Sequence, residues 1–299
     1  MSIMSTRLIR LLHLYKKTNS RSFYTTPKLS DMFEYDKKSG YPFKSDYLEE
    51  PKTVLERIRE GYSQLKHELW LFKEEVKDSL HMDPIMILRP GEVDVVWKFD
   101  GNPETLDNWV ISTDRDYHDG RSYATLELTP SGSGLFSGVL DTVALKDGKK
   151  RQTGYCNIKT VEPRKSFYRS DVHDWNGYTH LIMRVRGDGR TYMINLHLKA
   201  FFDVMWTDLH HFALYTRGGP YWQYVKIPFS KFFFSNRGRI QDRQFSPRRN
   251  SVVGLGITAA DGIAGPFSLE IDFIGVECDE TFAEESAYEL YHPPHPYYV

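Results

Sequence analysis

From Pro51 to Leu80 apolar residues return at alternating intervals of three and four: Leu55, Ile58, Tyr62, Leu65, Leu69, Phe72 and Val76. Lys and Glu fill most of the gaps. The spacing predicts a long amphipathic helix with one apolar stripe. Pro51 suits its first turn, and Asp83-Pro84 ends it. The stripe has two readings, packing on its own domain or receiving a partner as a short coiled coil.

From about residue 92 the period changes to two. Strand-like alternation appears at 93–99, 109–113, 123–129, 135–142, 154–161, 179–186, 191–198, 211–217, 222–229, 252–259 and 267–277. Gly-containing turns separate most of these segments. Many short strands with little helix between them predict an all-β jelly-roll β-sandwich. The expected organisation is a leader over 1–24, linker and helix over 25–90, the sandwich over 91–280, and a Pro- and aromatic-rich tail over 281–299.

Composition changes the picture at the N-terminus. Residues 1–30 hold Arg7, Arg10, Lys16, Lys17, Arg21 and Lys28 and no acid. Leucines interleave with these bases, and Arg10 and His13 interrupt any unbroken apolar core. That is the pattern of a mitochondrial transit peptide rather than a secretory signal. Formal net charge is −1 over the whole chain, and the part after the leader is net acidic. No nucleic-acid partner is expected on that balance. Two cysteines, Cys156 and Cys278, give no disulfide framework and no CxxC pair.

The segment RVRGDGRTY (184–192) sits between two strand-like runs. Asp188-Gly189 there suits a two-residue type I′ hairpin turn. No helix follows to make the glycines a phosphate loop. If Leu181, Met183 and Val185 face the core, Arg184 and Arg186 face outward. The same alternation sends Asn195, His197 and Lys199, and Trp222, Tyr224 and Lys226, away from the core. Arg, Trp and Tyr together have the composition of a partner- or ligand-binding surface. Trp206, with Phe201, Phe202 and Met205, adds a second apolar candidate, and the basic segment 230–249 reads as a long loop.

Five blocks resemble one family: WVISTDRDYHDGRSYATLEL, FSGVLD, GYTHLIMRVRGDGRTYMINLHL, YWQYVKIPFSKFFFSNRGR and LGITAADGIAGPFSLEIDFIGV, spread over 97–276. They are similar to the mitochondrial complex I intermediate-associated protein family, departing from it at Asp119, where relatives usually carry Gly. The resemblance implies a galactose-binding or carbohydrate-binding-module-like jelly roll. It further implies a chaperone role in assembling respiratory complex I, in the matrix and peripherally at the inner membrane. Implied partners are membrane-arm subunits of complex I and other assembly factors, among them an acyl-CoA-dehydrogenase-like protein. The alternative is a small-ligand or carbohydrate-binding module.

No enzyme is expected. Gly132-Ser133-Gly134 is too short for a nucleophile elbow. His197, His210 and His211 lack a clear fourth ligand for zinc. Asp171, Asp174, Glu270 and Asp272 have no spacing that pairs them for acid–base work. No metal or other cofactor is expected.

Overall fold

The structure, a computed structural model, describes residues 54–81, 88–117, 120–143, 154–199, 208–236 and 238–288. The expected leader, the linker before the helix, Asp119, Trp206 with its apolar neighbours, and the tail from 289 lie outside the described residues.

Alternation along the strands resolves into two antiparallel sheets. One contains β1 (Val93–Lys98), β3 (Tyr123–Leu128), β4 (Gly134–Leu140), β8 (His180–Gly187), β11 (Gln223–Pro228) and β15 (Gly265–Glu277). Its order is β11-β8-β15-β4-β3, and β1 pairs with the second half of β15. The other contains β2 (Trp109–Thr113), β5 (Cys156–Thr160), β9 (Thr191–Leu198), β10 (Asp208–Tyr215), β12 (Phe233–Asn236), β13 (Arg239–Ile240) and β14 (Val252–Ala259). Its order is β13-β12-β10-β9-β14-β5-β2. A two-residue hairpin, β6 (Arg164–Lys165) and β7 (Arg169–Ser170), stands apart from both.

Between the sheets lies one apolar core. Leu181, Met183 and Val185 of β8 meet Tyr192, Ile194 and Leu196 of β9 there, all fully buried. Each such side chain contributes roughly 1.5–3 kcal/mol by leaving water. Aromatic rings close one end: Phe99 stacks on Trp109, and Trp97 meets Trp175 edge-on. The architecture is the jelly-roll-type β-sandwich that the alternation predicts.

The expected hairpin at RGDGR is corrected. β8 pairs with β11 and β15, whereas β9 pairs with β10 and β14. The segment is therefore an arch that carries the chain from one sheet to the other. Only Gly189 has positive φ, at 95°, so the turn is not type I′ either. Asp188 pins the arch, accepting hydrogen bonds from Arg190 N (3.0 Å), Ser268 N (2.8 Å) and the Tyr192 hydroxyl (3.2 Å). Arg190 turns back onto Asp261 at 3.0 Å. A hairpin would set the apolar faces of both strands side by side in one sheet; the arch sets them against each other.

The 230–249 segment is also corrected. Phe233–Asn236 pairs with β10 and turns into β13. Gln244 locks this strand, its side chain accepting from Phe234 N (2.6 Å) and donating to Phe234 O (3.1 Å). Near the start of β3, Asp114 is fully buried and accepts from Ser122 N, Ser122 Oγ and Gly154 N at 2.8–3.0 Å. Gly120 is required beside it, because a Cβ there would lie 2.0 Å from Asp114 Oδ2.

The helix α1 spans Val54–His81. It touches the sandwich chiefly at the β6–β7 hairpin, where Phe72 meets Phe167 at 6.0 Å between ring centroids, while the rest of its apolar stripe is largely exposed. Among the described residues, no helix is long and apolar enough to cross a membrane.

Candidate partner-binding surfaces

The candidate residues separate onto opposite sides of the molecule. Arg184, Arg186, Trp222, Tyr224 and Lys226 lie on the outer side of the six-stranded sheet, on or beside β8 and the edge strand β11. Cross-strand register puts Tyr224 opposite Arg184, and Arg186 opposite Glu270. A bulge between Ile271 and Phe273 brings Asp272 within 2.6 Å of Arg184 Nη1. Arg186 donates to Glu270, which also accepts from Ser133 and Ser131. Burial would raise the Glu270 carboxyl, but the Ser133 and Arg186 hydrogen bonds outweigh it and hold it below the usual range.

Trp222 lies against both guanidinium groups, its ring centroid 4.9 Å from Arg184 and 5.1 Å from Arg186. Lys226 donates to Glu277 (2.6 Å) and Asp279 (2.9 Å). The hydrogen bond to Glu277 leads the upward shift of the lysine. Arg184, Arg186 and Lys226 thus each meet an acid from β15 or just after it. Tyr224 remains 56% exposed and Tyr221 82%. The surface offers aromatic rings in a charge-balanced setting, suited to protein contact.

Asn195 and His197 are not surface residues, which corrects their place in the set. They leave the core, but both are buried on the outer side of the seven-stranded sheet. A polar ribbon crosses that sheet there. Ser235 Oγ and Asn195 Oδ1 bracket the His211 ring at 2.5 and 2.6 Å. Asn195 Nδ2 donates to Thr258 Oγ1 (2.7 Å), which donates to Asn157 Oδ1 (2.9 Å). Burial pushes the His211 pKa down to about 4. His197 is lowered by burial and then by Lys159, and its Nε2 is buried without a partner. Lys199, just past β9, is exposed.

His210 belongs to the opposite side, where its ring packs on Phe234 and Phe245. The three histidines therefore do not converge on one ion. Among the described residues, no group of three or more His, Cys, Asp or Glu is placed to hold a metal. Cys156 is buried, and burial, then Asp114, pushes its thiol up to about 12; Cys278 is half-buried, and both are free.

Sequence reasoning missed a contact between the helix and the sandwich. Phe167, at the β6–β7 tip, has φ 56° and is the one non-glycine with positive φ among the described residues. That conformation turns its N–H onto Glu68 Oε2 at 2.6 Å. The preceding amide, Ser166 N, donates to Glu75. Arg164 and Arg169 add ion pairs to the same two carboxylates. Two successive N–H groups aimed at acids form a small anion nest. The Ser166 amide is the leading cause of the lowered Glu75 pKa. The signal in sequence was the Glu68/Glu75 repeat, but its acceptor is backbone.

A model of the family "Complex I intermediate-associated protein 30 (CIA30)" matches residues 97–271. The Drosophila melanogaster protein named complex I intermediate-associated protein 30, mitochondrial, is 48% identical over 276 residues, covering 92% of each chain. The Mus musculus protein of that name is 43% identical over 196 residues, 65% of this chain and 59% of its own. Among solved structures, a family 11 carbohydrate-binding module of Clostridium thermocellum is similar at 15% identity and TM-score 0.45, over 69% of this chain and 100% of its own. The last likeness is too distant to carry an argument about ligands. The chain belongs to the complex I intermediate-associated protein 30 family.

Proposed function

We propose that this chain is a non-catalytic assembly factor that holds membrane-arm intermediates of mitochondrial complex I through protein–protein contacts. Membership in a family whose relatives are named for complex I intermediates carries the reading. The contact surface is the outer side of the six-stranded sheet, centred on Trp222 and Tyr224, with Arg184, Arg186 and Lys226 around them. These residues suit protein contact, because rings held by paired charges present area with little side-chain entropy left to lose. The proposed setting is the matrix, peripheral to the inner membrane, beside other assembly factors that include an acyl-CoA-dehydrogenase-like protein.

Depletion of the protein, followed by native gels stained for NADH dehydrogenase activity, tests the role. Loss of mature complex I with accumulated membrane-arm subassemblies, other respiratory complexes being spared, is expected. Normal complex I overturns it. One observation favours the small-ligand reading, the unpartnered Nε2 of His197 beside the polar ribbon. Calorimetric titration with sugars and nucleotides tests it, and heat that is lost in His197→Ala would support it.

A further inference from the structure

The apolar stripe of α1 is a coiled-coil seam with unlike edges. Leu55, Tyr62, Leu69 and Val76 hold one heptad position, and Ile58, Leu65 and Phe72 the other. Tyr62 is 72% exposed, Leu65 50% and Leu69 52%. One edge of the seam carries Glu68 and Glu75, and the clamp at Ser166–Phe167 occupies both. The opposite edge carries Arg59, Lys66 and Lys73 at heptad spacing. These three are exposed and have no ion pair among the described residues. The β6–β7 hairpin therefore neutralises the acidic edge and meets the seam at Phe72 through Phe167, leaving the seam from Leu55 to Leu69 open and bordered by bases.

We propose that this seam docks an amphipathic helix of another protein, apolar at its own heptad positions and acidic along the edge that meets Arg59, Lys66 and Lys73. The inference rests on α1 and its clamp alone, independent of the assembly reading. A second copy of this chain is a poor occupant. Antiparallel pairing would set Arg59, Lys66 and Lys73 against themselves. Parallel pairing would need Glu68 and Glu75 for the partner's bases, and these are already engaged. An anionic membrane is also a poorer match. Helices lying on membranes spread bases over the polar face, whereas here that face holds Glu60 and Glu74.

The test uses the full chain and two labelled synthetic peptides of four heptads. Both have Leu at the two seam positions, with Glu on both edges of one and Lys on both edges of the other. Fluorescence anisotropy should show the Glu peptide binding at least tenfold tighter than the Lys peptide, and weakening as salt rises. The double variant Lys66→Glu/Lys73→Glu should reverse the preference. Leu65→Gln/Leu69→Gln should abolish binding of both peptides, with the circular dichroism of the sandwich unchanged. Equal affinity for the two peptides, or binding to neither, overturns the proposal. So does stronger binding to phosphatidylglycerol vesicles than to the Glu peptide, or a dimer in sedimentation that Leu65→Gln/Leu69→Gln dissociates.

Discussion

The outer sides of the two sheets are built from the same alternation and end in opposite states. On the six-stranded sheet, Arg184, Arg186 and Lys226 reach partly into water and pair with Asp272, Glu270 and Glu277. On the seven-stranded sheet, Asn157, Asn195 and His197 are buried in a polar ribbon beside the buried Lys159, which pairs with Glu162 at 2.7 Å. The partly exposed Arg184–Asp272 pair contributes little, whereas Glu270 and Glu277 are buried and depend on Arg186 and Lys226; the basic ends of all three pairs still reach water and leave a face free to meet a partner. A buried ribbon is costly to leave half-made and fixes the sheet instead. Pointing away from the core is thus not the same as facing solvent.

The largest effect should come from breaking the ribbon. His211→Ala removes the group between Ser235 and Asn195 and leaves Ser235 Oγ and Asn195 Oδ1 without it, although Asn195 keeps Thr258. A loss of about 2–4 kcal/mol is expected in denaturant unfolding. The same substitution on the other sheet, Arg184→Ala, should cost under about 1 kcal/mol, since its ion pair is partly exposed. Equal losses would erase the contrast between the two sides.

Acid should sharpen it next. His210 and His211 are held down to about 4 by burial, against an ordinary value of 6.5. The unfolded chain takes up protons below pH 6.5 that the native rings refuse. Their stability is therefore full above pH 6.5 and is lost as pH falls towards 4, by roughly 2–3 kcal/mol per ring. His211→Gln should flatten this part of the profile. The carboxylates of the opposite side act in a lower window. Glu270 sits below its ordinary 4.5, so its contribution persists until pH falls past 4.5. The smallest stability change is expected from Trp222→Ala, within about 1 kcal/mol, because the ring is partly exposed.

Much of the fold was legible because alternation is local. The core sides of β8 and β9 follow from Leu181, Met183, Val185, Tyr192, Ile194 and Leu196 without reference to the rest of the chain. Which sheet each strand joins is not local. RGDGR therefore read as a hairpin, although Asp188 pins it to Ser268 in the sheet of β8 while β9 joins the other sheet. β12 was missed for a related reason. Phe232, Phe233 and Phe234 run without alternation, and the strand is fixed by pairing to β10 and by Gln244. Of the candidate surface, alternation gave the direction of Arg184 and Arg186. It could not give the acids that pair with them, because the bulge at Asp272 is set by strand register. The burial of Asn195 and His197 depends on tertiary cover, which period-two patterning does not encode.

The central claim is that the Trp222 side of the sandwich serves complex I assembly by contact. Its most direct test is rescue of depleted mitochondria with the double variant Trp222→Ala/Tyr224→Ala, checked first for native unfolding behaviour. The expected result is a folded protein that fails to restore mature complex I, while Tyr123→Ala, on the far edge strand β3, restores it. Full rescue by the double variant would contradict the assignment of this surface.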